Sequence, residues 1–133
     1  LSGPLLDRID LHVEVPAVPY KDLRARNAGS TSAGMRERAQ KARERQLARY
    51  AGTPMLTNAD LTGRWLDQHC HLGDAEHAFL EKAVNSLGLS ARAWTRILRM
   101  ARTIADLEDA DVLTVGHLAE AINYRSLDRE RGA

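Results

Sequence analysis

The chain has 133 residues, enough for one domain with a modest core, and its 19 Lys and Arg against 18 Asp and Glu give a formal net charge of +1. That balance excludes a global electrostatic pull toward nucleic acid or membrane, so any such footprint is local. The one cysteine, Cys70, excludes an internal disulfide and fits a reducing compartment. No apolar run reaches the length of a membrane helix and no signal-peptide pattern opens the chain, so a cytoplasmic protein is expected.

The first residue is Leu1 and a structured motif begins at once, which reads as a start inside a longer protein. Ser2-Gly3-Pro4 opens a short turn or helix, with Ser2 placed to cap and Pro4 early, where its missing N–H has no partner to lose. Ile9, Leu11, Val13 and Val15 then alternate with Asp10, His12 and Glu14, the period of a half-buried strand ended by Pro16. No second clear strand follows, and one strand makes no sheet, so the sequence implies a sheet supplied from elsewhere. Such a strand is expected to be disordered, to fold back onto the helices, or to pair with another copy. Residues 17–34 mix Pro, Asn, Gly, Ser and Thr with charges and read as a linker, loosest at Asn27 to Ser32.

From about Met35 to Tyr50 the composition predicts a helix, stopped by Gly52 and Pro54. Its apolar face is thin: Met35, Ala39, Ala42 and Leu47. Its polar face carries Arg36, Arg38, Lys41, Arg43, Arg45 and Arg49 against Glu37 and Glu44, the local basic patch concealed by the net charge. Asn58 is expected to cap a helix carrying Leu61, Trp65 and Leu66, and Asp74 the next, which Gly88 ends. Ser90 caps a longer helix to about Leu107, and Thr114 a last one with Leu118, Ala121 and Ile122 inward. Short connections make neighbours pack, so the fold class is all-α: a helical bundle preceded by a short helix and strand remnant and a linker.

In the helix after Ser90, Trp94, Ile97, Leu98, Ala101, Ile104 and Ala105 share one face, and Arg92, Arg96 and Arg99 the opposite one. Arg92 sits in the first turn, where a cation opposes the helix dipole. It is either tolerated on a solvated face or added to a helix N-terminus as a clamp for phosphate. Arg8, between Asp7 and Asp10, is either a local ion pair or a group that stabilises a transferring phosphoryl group in a neighbour's site. The basic helix either tracks nucleic-acid phosphates or is a solvated face. His69-Cys70-His71 and His77 lack the spacing of a metal site; no metal is expected, and Cys70 reads as a small buried hydrophobe. Trp65 and Trp94 fall at core-like spacing. No GxxxxGK[ST] loop occurs, so this chain alone is not expected to bind Mg-ATP tightly or hydrolyse it.

The run Ser2-Gly3-Pro4-Leu5-Leu6-Asp7-Arg8-Ile9-Asp10-Leu11-His12-Val13-Glu14-Val15-Pro16 resembles a signature of the magnesium-chelatase-like AAA+ ATPases of the ComM/YifB group. So do Ser90 to Arg99 with Met100 to Glu108, and His117 to Ile122 with Tyr124, Arg125, Leu127, Asp128 and Arg129. The Arg-rich segment with Gln40 and Gln46, and Asn58 after it, is similar to the same group. The resemblance implies that 1–16 is the C-terminal edge of an AAA+ core, 17–34 a linker and 35–131 a helical lid. It implies that Arg8 is an arginine finger acting in trans and that Arg92, in Ser90-Ala91-Arg92, is the sensor-2 contact to the ATP γ-phosphate. ATP and Mg2+ are then cofactors of the longer protein. Its partners are the core of the same chain, neighbouring subunits of a hexameric ring, and DNA undergoing branch migration; no membrane is implied. An ATPase subunit of magnesium chelatase and a stand-alone nucleic-acid-binding module are the alternatives. Ile9 departs from the Phe of the replicative-helicase pattern.

Overall fold

Seventeen residues from Ala91 to Leu107 form the longest run of apolar side chains at helical spacing, and the fold is assembled around them. In the computed structural model, which describes residue 11 and residues 31–125, the α-helices are α1 (Ser32–Tyr50), α2 (Gly63–His69), α3 (Asp74–Leu87), α4 (Ala91–Leu107) and α5 (Val115–Asn123). A single 3-10 turn, Asn58–Asp60, lies between α1 and α2. The all-α bundle expected from the sequence is the fold observed.

Helix α4 packs against α1, α2, α5 and the 3-10 turn, and α3 packs against α5. Of the face grouped by the helical wheel, Ile97, Leu98, Ala101, Ile104 and Ala105 of α4 are buried and meet Leu61, Leu66, Leu80, Leu113, Leu118, Ala121 and Ile122, while Trp94 stays half-buried and Ala93, outside that group, is buried too. Each such Leu or Ile contributes roughly 1.5–3 kcal/mol by leaving water. Cys70 lies in the same core, and burial pushes its thiol up to about 11. Trp65 and Trp94 pack half-buried against it. Among the described residues no helix is long and apolar enough to cross a membrane.

The helix ends follow local chemistry. Ser90 Oγ accepts from Ala93 N–H at 3.1 Å and Thr114 Oγ1 from His117 N–H at 3.3 Å, so both expected caps are in place. Gly88 ends α3 in the left-handed conformation at φ 64°, which a side chain disfavours. Three boundaries differ from expectation. α1 starts at Ser32, because Thr31 Oγ1 accepts from Gly34 N–H at 3.0 Å and draws three residues of the expected linker into the helix. Asn58 caps no α-helix: Asp60 turns back to accept from Leu56 and Thr57 N–H, closing a 3-10 turn, and α2 begins separately after Thr62. Asp74 is the first residue of α3, and Gly73 takes the cap position. The strand expected over 9–15, Leu11 apart, and the linker up to Ser30 lie outside the described residues.

Candidate functional site

Arg92 stands in the first turn of α4, exposed, one residue past the free helix terminus that Ser90 partly caps. Among the described residues it makes no hydrogen bond or ion pair. Its guanidinium fork is therefore open to an anion from outside the bundle. The other two arginines grouped with it on the sequence are more buried, and Arg99 Nε is spent on Leu61 O at 2.9 Å. Arg8 lies outside the described residues.

The structure divides the basic face of α1. Arg36, Arg38 and Arg43 are exposed, and Lys41 forms a solvated pair with Glu37 at 3.4 Å. Arg45 and Arg49 face the bundle instead. Arg45 donates to Asp109 at 2.5 Å, Asp111 at 2.6 Å and the Ala110 carbonyl at 3.2 Å, bracing the loop that joins α4 to α5. Arg49 grips Asp106 through both Nη atoms, at 2.9 and 2.6 Å. These two, expected with the nucleic-acid patch, are committed to carboxylates of their own chain. The reason is geometric: the residues four apart that carry them share the side of α1 that bears Ala42 and Tyr50, the two buried on that helix.

Asp106 is the centre of this arrangement. Its side chain is fully buried, and besides Arg49 it receives Asn58 Nδ2 at 3.0 Å and lies 3.3 Å from Arg102 Nη2. Burial raises its pKa, but the hydrogen bonds from Arg49 and Asn58 and the nearby guanidinium charges outweigh that and hold the carboxyl below the usual range. Asn58 also donates to Thr103 Oγ1 at 3.0 Å, accepts from Tyr50 Oη at 2.5 Å, and offers its N–H to Gln46 Oε1 at 2.9 Å. Arg102, buried on α4, donates to the carbonyls of Ala110 and Asp111 at 2.6 and 2.9 Å. Two segments distant in sequence, at Arg49 and Asn58, and Arg102 one turn back on the same helix are thus tied to one carboxylate.

Residues 29–125 match the model of the family described as magnesium chelatase, subunit ChlI C-terminal. The chain belongs to that family. Over 130 residues, 97% of this chain and 25% of the relative, it is 48% identical to the competence protein ComM of Haemophilus influenzae. It is 43% identical over the same coverage to YifB of Escherichia coli, and 33% identical to Mb2921c of Mycobacterium bovis over 98% of this chain and 26% of that protein. The chain thus spans about a quarter of the length of these relatives.

Within the ChlI C-terminal family, the long match to ComM and YifB identifies this chain as the ComM/YifB-type helical segment. Gln46, Asn58 and Asp106, three residues of the runs that carried the resemblance, prove to be members of one hydrogen-bond network. Sequence reasoning missed Arg102 and His117 as buried polar anchors. His117 Nδ1 accepts from Thr114 N–H at 3.0 Å, which places the ring proton on Nε2, 2.7 Å from Glu108 Oε2. The available signal was an arginine at the i−4 position from Asp106 on an otherwise apolar face, and a histidine three residues after a capping threonine. His69 packs against Trp65 and Tyr50, and His77 and His71 border a cleft beside Cys70.

Proposed function

We propose that this bundle is the nucleotide-responsive lid of a hexameric AAA+ ATPase, coupling ATP hydrolysis to translocation or branch migration of DNA. The observation that carries the reading is Arg92: exposed, unpaired among the described residues, and set in the first turn of α4, within the Ser90-Ala91-Arg92 run on which the resemblance rests. A planar fork of donors beside a helix N-terminus is suited to a phosphate. ATP with Mg2+ would supply the phosphoryl group and its charge neutralisation; the bundle's part is to present Arg92 to that phosphate and to hold α4 in register against α1 and α5. Arg8, by its motif, would serve the adjacent subunit's nucleotide.

In a full-length protein carrying this segment, Arg92→Ala should lower ATPase turnover by at least tenfold and leave thermal unfolding unchanged. Wild-type turnover would sink the assignment. Arg8→Ala should do the same, with activity restored when mixed subunits supply the finger in trans.

The exposed trio Arg36, Arg38 and Arg43 favours a second role for the same bundle, contact with nucleic-acid phosphates. Changing all three to Gln should flatten the salt dependence of duplex DNA binding by about 0.9 log units per log salt for each phosphate that the variant no longer neutralises. An unchanged slope removes this face from the interface.

A further inference from the structure

The turn that follows α1 and the start of α2 line a cleft of about 410 Å³, formed by Pro54, Met55, Leu56, Asp60, Thr62 and Trp65. That volume falls in the range of small-ligand sites, about 300–1,000 Å³. Leu56 lines it although 70% exposed, an apolar side chain set out in water. The Trp65 ring is fixed from within the bundle. His69 lies within 8° of parallel to it, centroids 6.3 Å apart, and Tyr50 meets His69 edge-on at 5.3 Å. The Arg64 guanidinium lies over the Trp65 ring, 4.9 Å from its centroid, and among the described residues it makes no ion pair. Polar groups at the cleft are open as well. Thr62 precedes α2 without a side-chain cap bond. Asp60 spends Oδ2 on the Leu56 and Thr57 N–H groups at 2.9 and 3.1 Å, which leaves Oδ1 as an acceptor.

We infer that this cleft receives one unpaired nucleobase of a single-stranded nucleic acid, stacked on Trp65, with the Arg64 guanidinium on the adjoining phosphate. Every base offers a π face to an indole, and every nucleotide an anion to an arginine, so the pair suits a strand of any sequence. An apolar peptide would leave Arg64, which has no carboxylate of its own chain, without a counter-charge. A duplex keeps its bases stacked on one another and offers none to the ring. The class of ligand rests on the nucleic-acid contact proposed for Arg36, Arg38 and Arg43. Arg43 lies about 10 Å along α1 from Tyr50, where that helix ends and the turn begins.

The test uses the 133-residue chain with Trp94→Phe, which leaves Trp65 as its single tryptophan. Binding is read at low salt from the anisotropy of a dye-labelled, mixed-sequence single strand, and the site from Trp65 emission with the unlabelled strand. The single strand should quench Trp65 saturably, and the blunt duplex of the same sequence should not. Trp65→Leu should weaken single-strand binding about tenfold. Arg64 is exposed, so Arg64→Gln keeps the fold, and it should flatten the salt dependence by about 0.7 log units per log salt. Binding that leaves Trp65 emission unmoved, or an unchanged slope in Arg64→Gln, would overturn the inference and spare the basic face of α1. No binding of either strand form would remove the nucleic-acid contact altogether, and this inference with it. Equal quenching by the duplex would also overturn it. So would Trp65 emission that follows protein concentration without DNA, which would assign the patch to a second copy.

Discussion

A carboxylate with no exposed surface needs its full complement of donors, and Asp106 has them: two from Arg49, one from Asn58, and the Arg102 guanidinium beside it. Removing its charge leaves buried cations uncompensated. Asp106→Asn should therefore cost about 3–5 kcal/mol, the range for breaking a buried pair from one side, measured by urea unfolding. A loss below 1 kcal/mol would show that the network is ornamental. The pH dependence has a definite sign. The folded pKa of Asp106 lies below its unfolded value, so its contribution is complete above the unfolded pKa of about 3.9 and is lost as pH falls through the folded value. His69 acts in the same direction at higher pH. Burial, then the charges of Arg49 and Arg102, lower its pKa, so its contribution is complete above about 6.5 and declines below it. Wild type should lose stability in two acid steps, and Asp106→Asn should shrink the lower one, leaving the part due to Asp60, whose carboxyl the Leu56 and Thr57 N–H groups also hold below the usual range. Cys70 supplies a further check. With its pKa pushed up to about 11, the native thiol should react with a maleimide at neutral pH far more slowly than in urea.

The elements differ in what holds them. α4 is seated by apolar burial, whereas α1 buries only Ala42 and Tyr50 and leaves Met35 and Leu47 exposed. Its attachment rests on Arg45, Gln46 and Arg49. Arg45 reaches Asp109 and Asp111, whose side chains are 85% and 90% exposed, so each of those pairs is worth at most about 1 kcal/mol. Arg45→Ala should thus destabilise much less than Arg49→Ala, and native-state hydrogen exchange should show its effect in α1 while α4 stays protected. Equal losses from the two variants would contradict this division. Helix α4, seated by apolar burial, draws a smaller part of its stability from its cap, and Ser90→Ala should cost about 1 kcal/mol in thermal unfolding.

This contrast also explains what could be read in advance. The ends marked by Ser90, Thr114 and Gly88 were legible because cap chemistry is local. The core face of α4 was legible because its apolar period is unbroken until Arg102. The turn at Asn58 was not, since its side chain serves Asp106 and Thr103, residues more than forty positions away. Nor could periodicity tell Arg45 and Arg49 from Arg36, Arg38 and Arg43. All are arginines on a helix with few apolar residues, and only the position of Asp106, Asp109 and Asp111 on other segments separates them.

At the scale of the whole molecule, the candidate nucleotide contact and the polar hub occupy opposite ends of one rod. Arg92 and Asp106 are fourteen residues apart on α4, about 21 Å at 1.5 Å per residue. The resemblance singled out Arg92, and the role proposed for it would be exercised in a protein of the relatives' length, of which the chain covers about a quarter. Bundle stability and the phosphate contact proposed for Arg92 should then be separable. Arg92→Ala is expected to spare unfolding, and Arg45→Ala to spare nucleotide turnover in a full-length protein.

The convergence of three side chains on Asp106 has a consequence for how such a chain can change over generations. Arg49, Asn58 and Arg102 are each acceptable in the interior because the carboxylate is there, and the carboxylate is acceptable because they are. Replacing any one alone passes through a less stable ancestor. Among ComM/YifB-type chains these four positions should therefore be inherited as a set or exchanged together for an apolar one, and a homologue that keeps the aspartate without the arginines should be hard to find.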